Sequence, residues 1–405
     1  MSLDKLEIIL SQQLASIDNA GTSKRHEQVI SGRTSGTNGF GPRYHLADFG
    51  QKSFLRMNSN SYLGLESHPD VIAAEAKAAE QFGTGPGAVR FISGSYQAHK
   101  DLEQSLADFH GRQSAMVFSS AYAAMLAVLP QLVSEQTLII SDVLNHNCII
   151  NAVRLSRCAA KAVYDHLNMS ELETILKENS GLYKRVCVVT DGVFSMRGDY
   201  ADLEHITMLC KRYEGCYDEG IISIVDDSHG VGVLGKTGRG TEQLCDAKAD
   251  ILLATLGKAF GVNGGYIVCS SKVIKYLRET AALYIYSNPI TPAEAAAATQ
   301  AVTIIDSELG LVKLEKLQKL GRRLRTGLEQ AGFSLLPGQH PIVAVLIGDT
   351  KQTIALVKRL FEHQILVTGL SYPVVPKGQE EIRLQVSSDH TEKDIDFLLS
   401  VMLSN

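Results

Sequence analysis

Five short runs between residues 114 and 256 constrain this chain more than any other feature: "SAMVFSS", "TLIISD", "RVCVVT", "IISIVD" and "ILLATL". Each is continuously apolar, rich in β-branched residues and too short for a helix. A strand that is apolar on both faces must be covered on both faces. Helical patterns such as "DLEQSLADFHG" and "ADLEHITMLCKRY" lie between the runs. Strand and helix in alternation predict a parallel sheet with helices packed on it, an α/β fold.

The texture changes near residue 291. "TPAEAAAATQAVTIIDSELGLVKLEKLQKLGRRLRTGLEQAG" reads as long helical material opened by Pro292, followed by "PIVAVLIGD", a helix, "QILVTG", "EIRLQVS" and a final helix. That pattern predicts a smaller α+β domain. At the other end, residues 3–18 carry an apolar stripe at helical spacing, and the Gly-, Ser- and Thr-rich stretch 31–43 reads as a loop or lid. The expected division is 1–54, an N-terminal helix and lid-like segment, 55–290, the large domain, and 291–405, the small one. A length of 405 residues suits that division.

Several function classes are disfavoured. A net charge of −5 gives no basic footprint for nucleic acid. No apolar run approaches the roughly 20 residues that span a bilayer. The opening "MSLDKLEIILSQQL" lacks the apolar core of a signal peptide. Seven cysteines with no C-x-x-C pair read as reduced core residues, and a cytoplasmic protein is expected.

Residues 230–237, G-V-G-V-L-G-K-T, match the phosphate-loop pattern G-x-x-x-x-G-K-[ST]. Such a loop works because a helix starts at its Lys-Ser/Thr and aims amides at the phosphates. Here "GRG" follows, and two glycines disfavour a helix start. The match is read as an accident. A metal held by Asp226, Asp227 and His229 is also disfavoured, because no further His, Cys or carboxylate nearby completes a ligand set.

A different lysine carries more. "ADILLATLGKAFGVNGGYIVC" places Lys258 just beyond a buried strand, among small residues. Desolvation there lowers an amine's pKa and makes it a competent nucleophile. A lysine that carries pyridoxal phosphate needs partners, and the chain offers them. Asp226 ends a buried strand, where it suits the ring nitrogen. His229, three residues on, suits the phenolic oxygen. His146, in "SDVLNHNCII", suits a stacking position over the ring. The amides of Ala121 and Tyr122 open a helix after "FSS" and suit the phosphate, with the Thr255 hydroxyl beside them.

These stretches, together with "NSYLGL", "TDGVFSMRGDYADL", "VDDSHGVGVLGKTGRG", "TLGKAFG" and "SYPVVPKGQEEIRLQVSSDHT", resemble the α-oxoamine synthases from about residue 55 to the C-terminus. "VTGLSYPVVPKGQEEIR" and "DVLNHNCIINAVRL" favour the glycine C-acetyltransferase branch. The resemblance implies a fold-type I pyridoxal phosphate enzyme, with a mostly parallel seven-stranded sheet in its large domain. Lys258, His146, Asp226 and His229 would be catalytic. Ser195 would contact the cofactor, Arg383 and Asn60 would bind the amino acid's carboxylate, and Ser287 and Asn288 would reach the phosphate of a neighbouring subunit. The implied reaction condenses an amino acid, glycine favoured, with an acyl-CoA, short chains favoured, in a homodimer with shared sites. The alternatives are a longer acyl donor, as in biotin, sphingoid or signalling-molecule synthesis, and a protein that binds pyridoxal phosphate without turnover. The departures from the family pattern, "GTGPGAVRFISG" and the long basic stretch "SGTNGFGPRYHL", bear on the substrates.

Overall fold

A computed structural model of the chain describes residues 3–20, 23, 27–372 and 375–403, so Pro373 and Val374 of the "SYPVVP" motif lie outside the described residues. Its centre is a seven-stranded sheet. In chain order its strands are β1 (Ser114–Phe118), β2 (Thr137–Asp142), β3 (Ala160–Tyr164), β4 (Arg185–Asp191), β5 (Ile221–Asp226), β6 (Ile251–Thr255) and β7 (Gly265–Cys269). They lie side by side as β1-β7-β6-β5-β4-β2-β3. The neighbours from β6 through to β3 pair in parallel. Only β7 runs against both of its neighbours. All six residues of β2 are buried, and so are six of the seven in β4. Covering both faces removes each Val, Ile or Leu from water, at about 1.5–3 kcal/mol per side chain.

The five strands read from sequence are all present. The two others lacked the same signature. The edge strand β3 alternates half-buried and exposed positions, and β7 begins at a glycine. Helix starts follow local chemistry. Ser120 accepts from the amide of Ala123 to open Ala121–Val128. Thr291 and Glu294 form a reciprocal cap on Pro292–Ile305.

The C-terminal part has its own antiparallel sheet, in the order Ser334–Leu335, Ile342–Leu346, Glu381–Gln385, Thr368–Leu370. "QILVTG" divides between two sheets: Ile365–Leu366 pairs in parallel with Ser53–Arg56 instead. That pairing fastens the N-terminal strands to the C-terminal part. Pro292–Ile305 packs on the helices Pro69–Phe82 and Gln97–His110, beside the large sheet.

Within 31–43 the loop expected from composition is residues 35–42, flanked on both sides by strand. Ile30–Thr34 and Arg43–Leu46 form an antiparallel hairpin. Its turn is pinned to the C-terminal helix. The buried Asp394 carboxylate accepts from Gly41 N at 2.9 Å and from Arg43 Nη2 at 2.8 Å. A charged, doubly bonded anchor of this kind argues against a mobile lid.

Strand β7 also presses close to the helix start at Ala121. A Cβ added at Gly265 would collide with the backbone of Ser120 and Ala121. Backbone cannot swing aside as a flexible side chain does. Gly265→Ala should therefore cost about 1–3 kcal/mol, read as a lower urea midpoint at unchanged m-value.

Candidate active site

The parallel strands deliver their C-terminal ends to one side of the sheet, where open α/β sheets place ligands. A cavity of about 220 Å³ lies there. Ala121 and Tyr122 line it after β1, His146 after β2, Ser195 after β4, Asp226 and His229 at and after β5, and Thr255 and Lys258 at and after β6. Eight of the expected site residues thus share one cavity, although 137 positions separate Ala121 from Lys258 in the chain.

Register places two carboxylates next to each other, because Asp191 and Asp226 are paired residues of β4 and β5. Both are buried. Burial raises the Asp191 carboxyl well above the usual range, and the charge of Asp226 raises it further. Asp191 Oδ2 accepts from the backbone N–H of His146 at 2.7 Å, which fixes the loop after β2. Burial also lowers the Lys258 amine below the usual lysine range, while Asp226 and Asp191 oppose that shift. The side chain is half-buried and lines the cavity. A depressed amine among carboxylates is a proton acceptor at lower pH than a surface lysine.

His146 caps the helix Asn147–Leu155, its Nδ1 accepting from Cys148 N at 3.2 Å. The ring proton is therefore on Nε2, and burial lowers the ring's pKa. At the other end of the cavity, Ser120, Ala121 and Tyr122 present a helix N-terminus, an anion-binding device. The Thr255 hydroxyl donates to Gly264 O at 3.1 Å and accepts from Gly257 N at 3.0 Å.

A second cluster joins the cavity to the C-terminal part. Tyr62 Oη lies 2.7 Å from His229 Nδ1. His340 accepts from Ile342 N through Nδ1, so its Nε2 donates to His229 O at 2.9 Å. Arg383 donates from Nε to Ser195 O at 2.6 Å and from Nη2 to Asn60 Oδ1 at 3.3 Å. Asn60 and Arg383 do not line the cavity itself but stand beside it, with Ser195 as the link. Burial, then the charges of Lys258 and Arg383, push His229 well below the usual histidine range. Burial pushes His340 down to about 3.

Ser287 and Asn288 are not among the residues lining this cavity. The stretch 230–237 forms no helix start, since the next helix, Thr241–Leu244, begins four residues later. Gln243 Oε1 accepts instead from Thr237 N at 2.9 Å. Asp227 turns away from Asp226 to accept from Thr241 N at 2.8 Å. Among the described residues, no group of three or more His, Cys, Asp or Glu is placed to hold a metal ion. Sequence reading missed Tyr62, Cys148, Asp191, Ser228 and His340. Asp191 alone had a visible signal, as a carboxylate that ends a buried run, as Asp226 does.

A family model described as aminotransferase class I and II matches residues 52–402. The chain is 38% identical over 398 residues to the 2-amino-3-ketobutyrate coenzyme A ligase, mitochondrial, of Bos taurus, covering 98% of this chain and 91% of that one. The chain belongs to the α-oxoamine synthases, within the class I and II aminotransferase family. It is 40% identical over 353 residues to the 8-amino-7-oxononanoate synthase of Fervidobacterium nodosum, covering 86% and 87%. The solved serine palmitoyltransferase of Sphingomonas wittichii superposes with a TM-score of 0.88 at 27% identity, over 99% of this chain and 97% of that one. The expected fold, a mostly parallel seven-stranded sheet with a smaller C-terminal sheet domain, is the observed one.

The donor set of this α-oxoamine synthase fits pyridoxal phosphate. It has an amine, a carboxylate and an imidazole at one end and a helix N-terminus at the other. Ser228 Oγ, buried in the cavity wall, has no hydrogen-bond partner within the protein. Buried polar atoms without partners are scarce in folded proteins.

The neutral rings of His229 and His340 have a consequence for acid stability. An unfolded histidine protonates near 6.5 and these do not. From pH 6.5 downward the unfolded chain binds more protons, so stability falls as acid is added. His340→Gln should flatten that slope between pH 6.5 and 4, measured as urea midpoint against pH. An unchanged slope would mean that His340 does not contribute.

Proposed function

We propose that the protein condenses an amino acid, glycine favoured, with a short-chain acyl-CoA, releasing CoA and leaving an α-amino ketone or β-keto amino acid. One observation carries the reading: a depressed lysine amine, a strand-end aspartate and a neutral imidazole line one small cavity that is closed by a helix N-terminus. Bound pyridoxal phosphate supplies an electron sink for charge that develops at the amino acid's α-carbon. Lys258 would hold that cofactor, with Asp226 on its ring nitrogen, His146 over its face, and the amides of Ala121 and Tyr122 on its phosphate. His229 and Ser195 suit its phenolic oxygen.

The chain's own groups do the rest. Arg383, oriented by Ser195 O and Asn60, grips the amino acid's carboxylate and fixes which α-substituent faces Lys258. The Lys258 amine then takes the α-proton. Holding both reactants in one site replaces an encounter with an internal attack. The relatives named above include a ligase of 2-amino-3-ketobutyrate and a serine palmitoyltransferase, so the acyl donor is the open choice. The stretches "VTGLSYPVVPKGQEEIR" and "DVLNHNCIINAVRL", which resemble glycine C-acetyltransferase, favour the short one.

A homodimer with shared sites is part of the reading. Ser287 and Asn288 stand beside Tyr286, 75% exposed, near Phe91 and Ile92, at 61% and 67%. Phe91 and Tyr286 make an edge-to-face contact. Exposed aromatics clustered in this way suit an interface. A cytoplasmic location is supported by the seven free cysteines, four of them buried. Among the described residues, no helix is long and apolar enough to cross a membrane.

The test is CoA release from acetyl-, butyryl-, octanoyl- and palmitoyl-CoA, with glycine, serine and alanine. The proposal expects kcat/KM to peak at acetyl or butyryl. A rise of about 0.8 kcal/mol per methylene through to palmitoyl would assign a long-chain enzyme instead. Arg383→Lys should lower kcat/KM for glycine by roughly ten- to a hundredfold, the scale of one charged hydrogen bond. Mixed dimers of Lys258→Ala with Ser287→Ala subunits should regain activity that neither homodimer has. No gain in the mixture would argue against shared sites.

A further inference from the structure

His166 lies outside the cavity, and nothing in the reading above uses it. It stands in the loop after β3, with its side chain mostly buried. Nδ1 lies 3.1 and 3.3 Å from the two oxygens of Asp142, and Nε2 lies 3.2 Å from Asp199 Oδ2. A neutral imidazole has one N–H and one lone pair, so one of these contacts would set a lone pair against a carboxylate. Only the imidazolium donates to both.

The two carboxylates belong to the loops that build the site. Asp142 ends β2 and also accepts from Leu144 N at 2.8 Å and Leu167 N at 3.0 Å, so it organises the loop that leads to His146. Asp199 belongs to the turn 193–200, closed by Phe194 N–Asp199 O at 2.9 Å and Gly198 N–Phe194 O at 2.8 Å. Gly198 has φ +75°, which that turn requires. The same turn carries Ser195, whose carbonyl anchors Arg383. Phe194 sets its ring edge-to-face on His166, with centroids 4.4 Å apart.

We propose that His166 is a positioning residue: as an imidazolium clasped between Asp142 and Asp199, it holds the Ser195 turn, and with it Arg383, in the geometry that receives the amino acid. The inference rests on the role assigned to Arg383 above. The other charged group on the clasp is Arg197, whose Nε donates to Asp199 Oδ2 at 2.7 Å. Arg197 also faces Glu381, at the start of the strand that carries Arg383. Burial opposes the charge on His166, but the hydrogen bonds to Asp142 and Asp199 outweigh it and raise the ring to about 9. The clasp's stability is therefore fully present below pH 6.5 and is lost as pH rises through about 9.

The first test needs no turnover. Proton NMR of the His166 ring should give a midpoint near 9, and Asp199→Asn should lower it. The urea midpoint of the wild type should exceed that of His166→Gln at pH 6.5, with the gap closing towards pH 9.5. The second test is kinetic. His166→Gln should raise KM for glycine about tenfold at pH 7, the scale of a charged hydrogen bond, while kcat changes less than threefold. Because the substrate's own titration affects both enzymes alike, the ratio of their KM values should approach one above pH 9. Should His166→Gln not fold, Asp199→Asn serves for the same KM and kcat comparison. A His166 midpoint near 6.5, or a fall in kcat with KM unchanged, would overturn the proposal. If no acyl-CoA is turned over, the condensation reading fails, while the ring titration and the urea series still decide the clasp.

Discussion

The site depends on one electrostatic arrangement: two carboxylates, Asp191 and Asp226, brought side by side by the register of two buried parallel strands, with the Lys258 amine close by. Two buried anions in contact would be untenable. The chain avoids that outcome in two ways. Burial and the charge of Asp226 drive Asp191 towards its protonated form, against the hydrogen bond it accepts from His146 N at 2.7 Å. Lys258 supplies the compensating positive charge when it is protonated. The same field opposes the burial that depresses Lys258. The loop holding His146 and the proton affinity of the lysine thus both depend on one register.

The second dependence is on the seam between the two parts of the chain. His340 reaches His229 O, Arg383 reaches Ser195 O, and Tyr62 bridges from His229 towards Asn60, 3.3 Å from its Oδ1. The C-terminal part therefore does more than complete the fold: His340 holds the backbone carbonyl of His229, and Arg383 is fixed on Ser195 O and Asn60 at the cavity's edge. The N-terminal strands are tied to the C-terminal part as well, Ser53–Arg56 by pairing with Ile365–Leu366 and the hairpin turn through Asp394.

How much of this was legible in the sequence follows from the range of each interaction. Asp226 and Thr255 end buried runs, Lys258, His229, His146 and Ala121 stand just beyond them, and the runs announce themselves. The strand β3 does not, because an edge strand need not be apolar on both faces. Tyr62 and His340 were unreadable for another reason: their partners lie 167 and 111 positions away, and nothing local marks a residue that pairs at such range. Nothing local marks His166 either, because its two carboxylates come from the end of β2 and from the turn 193–200, 24 and 33 positions away. The glycines of 31–43 do mark a loop, at 35–42, but not the strands that flank it or the Asp394 anchor, which depend on pairing at a distance. The phosphate-loop match at 230–237 failed, as expected, on the helix it lacked.

The central claim is that Lys258 is the lysine that carries the cofactor. Protein purified with pyridoxal phosphate, reduced with borohydride and digested should yield one peptide with a phosphopyridoxyl mass, and that peptide should contain Lys258. Failure to take up the cofactor, or a label on Lys236 or any other lysine, would contradict the account.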